Sequence, residues 1–185
     1  MPEFKEWPKI ARLNRDVVIT EKIDGTNACV IVDEDGGVYA QSRSRIITPE
    51  DDNHGFARWV QAHEGDLKAV LGVGRHFGEW WGSGIQRGYG LQNGDKRLSL
   101  FNVERWKLQE GFGSVRGLGV VPVLYWGAFD TSSIRHVLGN LESTGSRVSA
   151  GFMKPEGIVI YHPQGNVSFK VTLENDGVPK GKVMP

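Results

Sequence analysis

Cysteine is nearly missing from this chain of 185 residues: Cys29 stands alone, so no disulfide can form within the chain. No cluster of cysteine and histidine offers a zinc site, and a reducing compartment is expected. Net charge is missing too. Twenty-two Lys and Arg balance 22 Asp and Glu, which excludes a polycationic surface and leaves any nucleic-acid contact to a local basic patch. No apolar run approaches the ~20 residues that span a bilayer. Residues 1 to 14 mix charges with Pro2 and Pro8 and do not read as a signal peptide, so a soluble, intracellular, cytoplasmic protein without membrane contact is expected. Internal repeats are lacking. The glycine-rich stretch Ser83-Gly84-Ile85-Gln86-Arg87-Gly88-Tyr89-Gly90 lacks the lysine and serine of a P-loop.

What the chain has in quantity is glycine, 25 residues, and tryptophan, six. That mixture suits a β-rich fold with tight turns and aromatic packing. With 39% hydrophobic and 24% charged residues the composition is ordinary for a globular protein, and the length fits one domain over residues 1–185. Apolar runs predict strands at 17–19, 28–32 and 38–42, together an antiparallel meander. Asp51 and Asp52 can cap a helix carrying Phe56, Trp59, Val60 and His63 on one stripe, continued past Gly65 by Leu67, Val70 and Leu71. His54 and His63 read as packing or surface residues. Residues 75–82 predict an aromatic strand containing Glu79, and 97–105 another. A glycine-rich connection at 109–119 leads to a strand near 120–126. Asp130 or Thr131 can cap a second helix with Ile134, Val137, Leu138 and Leu141 on one face, ending near Gly145. Residues 156–161 and 167–171 form a hairpin around a turn at 162–166, followed by a short polar tail at 173–185.

The chain is organised around Glu21-Lys22-Ile23-Asp24-Gly25-Thr26-Asn27. A lysine at the mouth of an Asp-Gly turn, with a carboxylate on either side and a glycine that admits a ligand close to the backbone, fits a covalent nucleophile. It equally fits a hairpin with a surface lysine. Arg43 and Arg45, at the end of the third strand, suit phosphate binding or plain solvation. Phe101 taken alone suits a core position.

The order of these pieces resembles the covalent nucleotidyltransferase superfamily of ATP-dependent RNA and DNA ligases and mRNA-capping guanylyltransferases. Lys22-Ile23-Asp24-Gly25 is similar to its nucleophile motif, Ser42-Arg43-Ser44 to the arginine element that follows, and Phe77-Gly78-Glu79 to the third motif. Leu100-Phe101-Asn102 resembles the aromatic element, Glu156-Gly157-Ile158-Val159 the fourth motif, and Phe169-Lys170-Val171 the fifth. Six short matches in family order are far more specific than any one of them. Glu-Lys-Ile-Asp-Gly-Thr-Asn and Gly-Glu-Trp-Trp-Gly-x-Gly-Ile-Gln look most like RNA ligases of the second, nick-sealing type.

The resemblance implies an α+β fold: two antiparallel β-sheets with flanking helices enclosing a nucleotide pocket, as in ligase adenylation domains and ATP-grasp-like architectures. It implies that Lys22 attacks the α-phosphorus of ATP, releases pyrophosphate and holds AMP, then passes AMP to a 5′-phosphate that is joined to a 3′-hydroxyl. Arg43 would contact the nucleotide phosphate or the incoming strand end, Glu79 the ribose hydroxyls, Phe101 the adenine face, Glu156 a divalent metal (Mg²⁺ or Mn²⁺), and Lys170 the α-phosphate. Asn27 would help position phosphate and metal, and Glu21 completes the nucleotide-binding set. Arg45, Arg87, Lys96 and Arg97 are candidates for a groove that takes RNA ends or a nicked duplex, with DNA as another substrate.

The chemistry agrees with those roles. Lysine at its ordinary pKa of about 10.4 is protonated at neutral pH and cannot attack, so cations must dominate around such a nucleophile while nearby carboxylates oppose it. Phosphoryl chemistry needs mainly positioning and cationic stabilisation, and an aromatic face contributes on the order of 1–3 kcal/mol without choosing among bases.

Three departures bear on function. The fifth motif of many ligases carries a second lysine where this chain has Thr172, so one phosphate contact is missing or is supplied from elsewhere, with Lys180 and Lys182 as candidates. Arg45 stands where the arginine element often continues into glycine. No separate carboxyl-terminal ligase domain is expected after the fifth motif, so self-adenylylation is a safer expectation than sealing, and a partner protein is one source of such a domain. Rival functions are a DNA ligase, a GTP-using guanylyltransferase, and a non-catalytic module that binds nucleotide or nucleic acid. Oligomeric state is not legible.

Overall fold

The computed structural model describes residues 1–107 and 112–177. Its ten strands are β1 (Asp16–Lys22), β2 (Thr26–Val32), β3 (Val38–Gln41), β4 (Ile46–Ile47), β5 (Gly74–Gly82), β6 (Lys96–Leu100), β7 (Leu118–Val120), β8 (Val123–Ala128), β9 (Gly157–His162) and β10 (Val167–Thr172). They form two sheets, one of four strands in the order β10-β9-β1-β8 and one of six in the order β4-β3-β2-β5-β6-β7. Helices α1 (Phe56–Ala62), α2 (Glu64–Leu71), α3 (Val103–Trp106) and α4 (Thr131–Thr144) flank them. The α+β expectation of two sheets with flanking helices holds. Pairing is antiparallel apart from β6 with β7, which run parallel.

The expected meander over residues 17–42 does not form. β1 pairs with β8 and β9, whereas β2 pairs with β3 and β5, so the turn at residues 23–25 carries the chain from one sheet to the other. The reason lies in the strands themselves. Val17, Val18 and Ile19 are all buried, as are Ala28, Cys29 and Val30, and a strand that is apolar on both faces needs cover on both and neighbours on both edges.

Three clusters make up the core. Val30, Phe56, Val60, Leu67 and Trp80 join the outer face of the six-stranded sheet to α1 and α2, while Val17, Ile19, Ile158 and Ile160 pack on Val137 and Leu141 of α4. Val18, Ile23, Trp81, Tyr89, Val103 and Val121 pack between the sheets. Each fully buried aliphatic or aromatic side chain contributes roughly 1.5–3 kcal/mol.

Local signals account for the boundaries. Asp52 Oδ1 accepts from Ala57 N at 2.7 Å and caps α1 from beyond its first turn. The single long stripe expected there divides at His63, whose φ of −119° ends α1 before α2 begins. Asp130 caps α4 by accepting from Ser132 N and Ser133 N, and all four apolar residues expected on its face meet the core. The strand expected over 97–105 stops at Leu100, because Asn102 Oδ1 accepts from Arg105 N and starts α3. The strand expected near 120–126 divides at Pro122, which cannot donate to a ladder, and the chain changes sheets there. Phe4, Trp7, Ile10 and Leu13 stand exposed along residues 1–14. No described helix is long and apolar enough to cross a membrane.

Candidate nucleotidyltransferase site

Alternation along β1 decides which motif side chains meet. Lys22 shares a face with Thr20 and Val18, and Glu21 shares the opposite face with Val17 and Ile19. Register then places Gly157 and Thr172 across from Lys22, and Val159 and Lys170 across from Thr20. Lys170 therefore stands two strands over and one pair along from Lys22 on one sheet face, with its side chain exposed. Gly157 sits at φ +156°, and a Cβ there would come within 2.2 Å of the Val171 carbonyl. Only glycine fits in this row between Lys22 and Thr172.

The six-stranded sheet supplies the facing wall. Asn27, Glu79 and Ser99 lie in one cross-strand row, and Phe77 lies one pair along from Glu79. Phe101 N–H donates to the Phe77 carbonyl at 2.9 Å, which extends β6 and keeps Phe101 beside Phe77, 42% exposed and not in the core. The turn between the sheets docks onto this wall. Gly25 N–H donates to Glu79 Oε1 at 3.1 Å. A Cβ on Gly25 would lie 2.4 Å from the Trp80 carbonyl and 2.9 Å from Trp81 Cβ, so only glycine lets the turn approach so closely.

Lys22 Nζ donates to Glu156 Oε2 at 2.5 Å, and Glu156 is only 5% exposed. This contact joins the nucleophile and fourth motifs, 134 residues apart. Burial pushes the Glu79 carboxyl up to about 7; nearby Glu156 and Asp24 add to that rise, while Lys22 and the Gly25 N–H offset part of it. The Asn27 amide nitrogen lies 3.5 Å from Glu79 Oε2.

Other candidates fall elsewhere. Glu21 is 1% exposed and points away from Lys22, accepting from Ser146 Oγ at 2.6 Å, Arg147 N at 2.7 Å and Val148 N at 3.0 Å. Those bonds anchor β1 to the loop after α4. Arg43 is exposed at the tip of the β3–β4 turn, and the neighbouring Arg45 guanidinium holds Asp51 in a two-point contact. Arg97 bonds Asp95 at 3.1 Å and covers the Trp81 ring at 5.7 Å, with the half-buried Lys96 beside it. Arg87 bonds Asp24 and Glu174. Thr172 donates its backbone N–H to Asp176 Oδ1 at 3.1 Å, and Lys180 and Lys182 lie outside the described residues.

Sequence reasoning missed Tyr89. Wholly buried, its hydroxyl accepts from Asp24 N at 3.0 Å and donates to the Lys22 carbonyl at 3.4 Å, bracketing the motif turn. Burial pushes its phenol up from the ordinary value. Its φ of +50° is left-handed, a conformation that costs a non-glycine residue of order 1–3 kcal/mol and persists where surroundings impose it. A tyrosine between two glycines, in a segment already set aside as no P-loop, was the available signal.

Two sheets that meet at a Lys-x-Asp-Gly turn, with a Lys22–Glu156 pair facing Glu79, define a nucleotidyltransferase-type domain. The RNA ligase family model matches residues 15–172, and the chain belongs to that family. Among solved structures, a mutant of Naegleria gruberi RNA ligase with AMP and Mn aligns at TM-score 0.66 and 18% identity, over 86% of this chain and 50% of that one. A second mutant of that ligase, with ATP and Mn, aligns at TM-score 0.66 and 18% identity over 88% and 51%. An apo mutant gives 0.65 and 19% over 86% and 50%. At such identities the likeness is one of fold, and this chain spans about half the length of those proteins. A search of curated proteins gave no match.

Proposed function

We propose that this chain is the adenylyltransferase part of an ATP-dependent RNA ligase, with Lys22 as the nucleophile. The observation that carries the reading is the placement of Lys22 on Glu156, on a sheet face shared with Lys170 and opposite Glu79, at a turn that only Gly25 allows to dock.

In this reading the Lys22 ammonium leaves Glu156, passes a proton to solvent water and attacks the α-phosphorus of ATP as the neutral amine. A P–N bond forms, the bond to the β-phosphate oxygen breaks, and pyrophosphate departs. Lys170 meets the charge on the α-phosphate oxygens, Glu79 accepts from the ribose hydroxyls, and Phe101 covers one face of adenine. AMP then passes from Lys22 to an RNA 5′-phosphate, and attack by a 3′-hydroxyl expels it. Arg43, exposed at its turn tip, steers the strand end, and Asn27 orients phosphate beside Glu79.

The donor set suits a divalent ion shared with substrate. Among the described residues no group of three or more His, Cys, Asp or Glu could hold a metal. One buried carboxylate, as Glu156 supplies, matches Mg²⁺ or Mn²⁺ held by one or two carboxylates, waters and substrate phosphates. When bound, such an ion supplies neutralisation of phosphate charge.

The test is incubation with α-labelled ATP and Mg²⁺ or Mn²⁺, beside GTP and a Lys22→Ala protein. Label that survives denaturation, is released by acid and comes from ATP on Lys22-containing protein alone is expected. Label retained by Lys22→Ala, or no label on folded protein shown free of AMP, overturns the reading. Sealing is followed separately on RNA and DNA ends.

A further inference from the structure

We infer that Arg87 is a positioning residue that sets the width of the nucleotide cleft, an inference that rests on the adenylyltransferase reading above. Arg87 sits in the loop leaving β5, so by connectivity it belongs with the six-stranded sheet and Glu79. Its guanidinium reaches three segments that adjoin the strands of the other sheet, the turn after β1, the approach to β9 and the segment after β10. Nε donates to Asp24 Oδ2, Nη1 to the Lys154 carbonyl and Nη2 to Glu174 Oε2, each at 3.1 Å. Those acceptors lie two residues past Lys22, two before Glu156 and four past Lys170.

One planar fork thus joins the strand ends that present the nucleophile, the candidate metal carboxylate and the second lysine. Tyr89, two residues on, fastens the same turn through Asp24 N and the Lys22 carbonyl. Left-handed backbone at Gln86, φ +45°, and Tyr89, φ +50°, flanks Arg87 and shapes the loop that aims both side chains at one turn. The Arg87 side chain is 26% exposed and that of Glu174 is 65% exposed, so each bond is individually modest. The value of the strap is geometric, and an ammonium on a flexible stem cannot hold three divergent acceptors.

The consequence follows from where the nucleotide sits. A ribose on Glu79 and an α-phosphate on Lys22 and Lys170 must reach opposite sheets at once, and a misplacement of about 1 Å at a reacting centre can cost ~100-fold in rate. An Arg87 that instead touched a polynucleotide phosphate would leave adenylylation alone and change binding strength and its salt dependence.

The two roles separate in Arg87→Met, Arg87→Lys and Glu174→Gln proteins, compared with wild type. Single-turnover adenylylation is followed against ATP concentration, binding of a 5′-phosphorylated RNA is followed at two salt concentrations, and amide exchange is followed at residues 22–26 and 154–157. Arg87→Met is expected to lose about 10- to 100-fold in rate at saturating ATP, with RNA affinity and salt slope within about twofold. Arg87→Lys should recover little of the rate, and Glu174→Gln should lose a few-fold in the same sense. An unchanged rate with weakened, less salt-sensitive RNA binding overturns the proposal, as does full rescue by lysine. If wild type takes no label, the adenylyltransferase reading fails separately. Exchange then decides the strap: both segments should open faster in Arg87→Met, and unchanged exchange overturns it.

Discussion

The two walls of the cleft are built from different materials. The four-stranded sheet presents Lys22 and Lys170 from neighbouring rows, with Glu156 just ahead of β9, and its other face packs Val17, Ile19, Ile158 and Ile160 against α4. The six-stranded sheet presents Glu79, Asn27, Phe77 and Phe101, with an aromatic layer behind it that includes Phe56, Trp59 and Trp80. In the proposed reading one wall takes phosphate and the other the nucleoside. Their separation explains why the chain must cross between sheets inside its key motif: the lysine and the glycine that docks it belong to different walls.

If the walls divide the work this way, substitutions on each should fail differently. Lys22→Ala should abolish covalent label outright. Gly25→Ala forces its Cβ against the Trp80 carbonyl, shifting the turn that carries Lys22; a rate loss of about 100-fold or more is expected in single-turnover assays, and near-wild-type rates would mean that the turn is pliable. Phe101→Ala removes stacking of about 1–3 kcal/mol. It should weaken ATP binding by about 5- to 150-fold while sparing the rate at saturation. Lys170→Ala should do the reverse.

The smallest effect concerns pH. The Glu79 carboxyl is raised from 4.5 to about 7, so the folded protein holds its proton where the unfolded chain has lost it. Stability from this group is full below 4.5 and is lost as pH rises to about 7. Glu79→Gln should therefore gain thermal stability relative to wild type across that window and hold a constant margin above it. In the proposed role the carboxylate form accepts from two ribose hydroxyls, so ATP affinity should rise a few-fold through pH 7 in wild type and stay flat in Glu79→Gln. A wild-type profile without that rise would place the ribose elsewhere.

Much of this was legible before any coordinates. The cap at Asp130, the face of α4, the final hairpin and the order of the six motif segments are local patterns, set by side chains that bond or pack within a few residues. The motif resemblance also named Lys22, Glu79 and Glu156 together, although nothing local links them. What misled was pairing. An Asp-Gly turn between two apolar runs reads as a hairpin, and only the need to cover both faces of β1 and β2 sends them to separate sheets. Glu21 and Arg87 show the same limit: one is adjacent to Lys22 yet faces α4, and the other lies in a glycine-rich loop yet reaches Asp24.

By itself the sequence determined where most helices and strands lie and the family, because caps, periodicity and motif order act over short spans of chain. The tertiary structure decided which carboxylate meets the lysine, which arginine ties the walls together and which aromatic stays exposed. Those outcomes depend on strand register, where a shift of one residue turns a side chain to the opposite face, and on contacts between residues as far apart as Lys22 and Glu156.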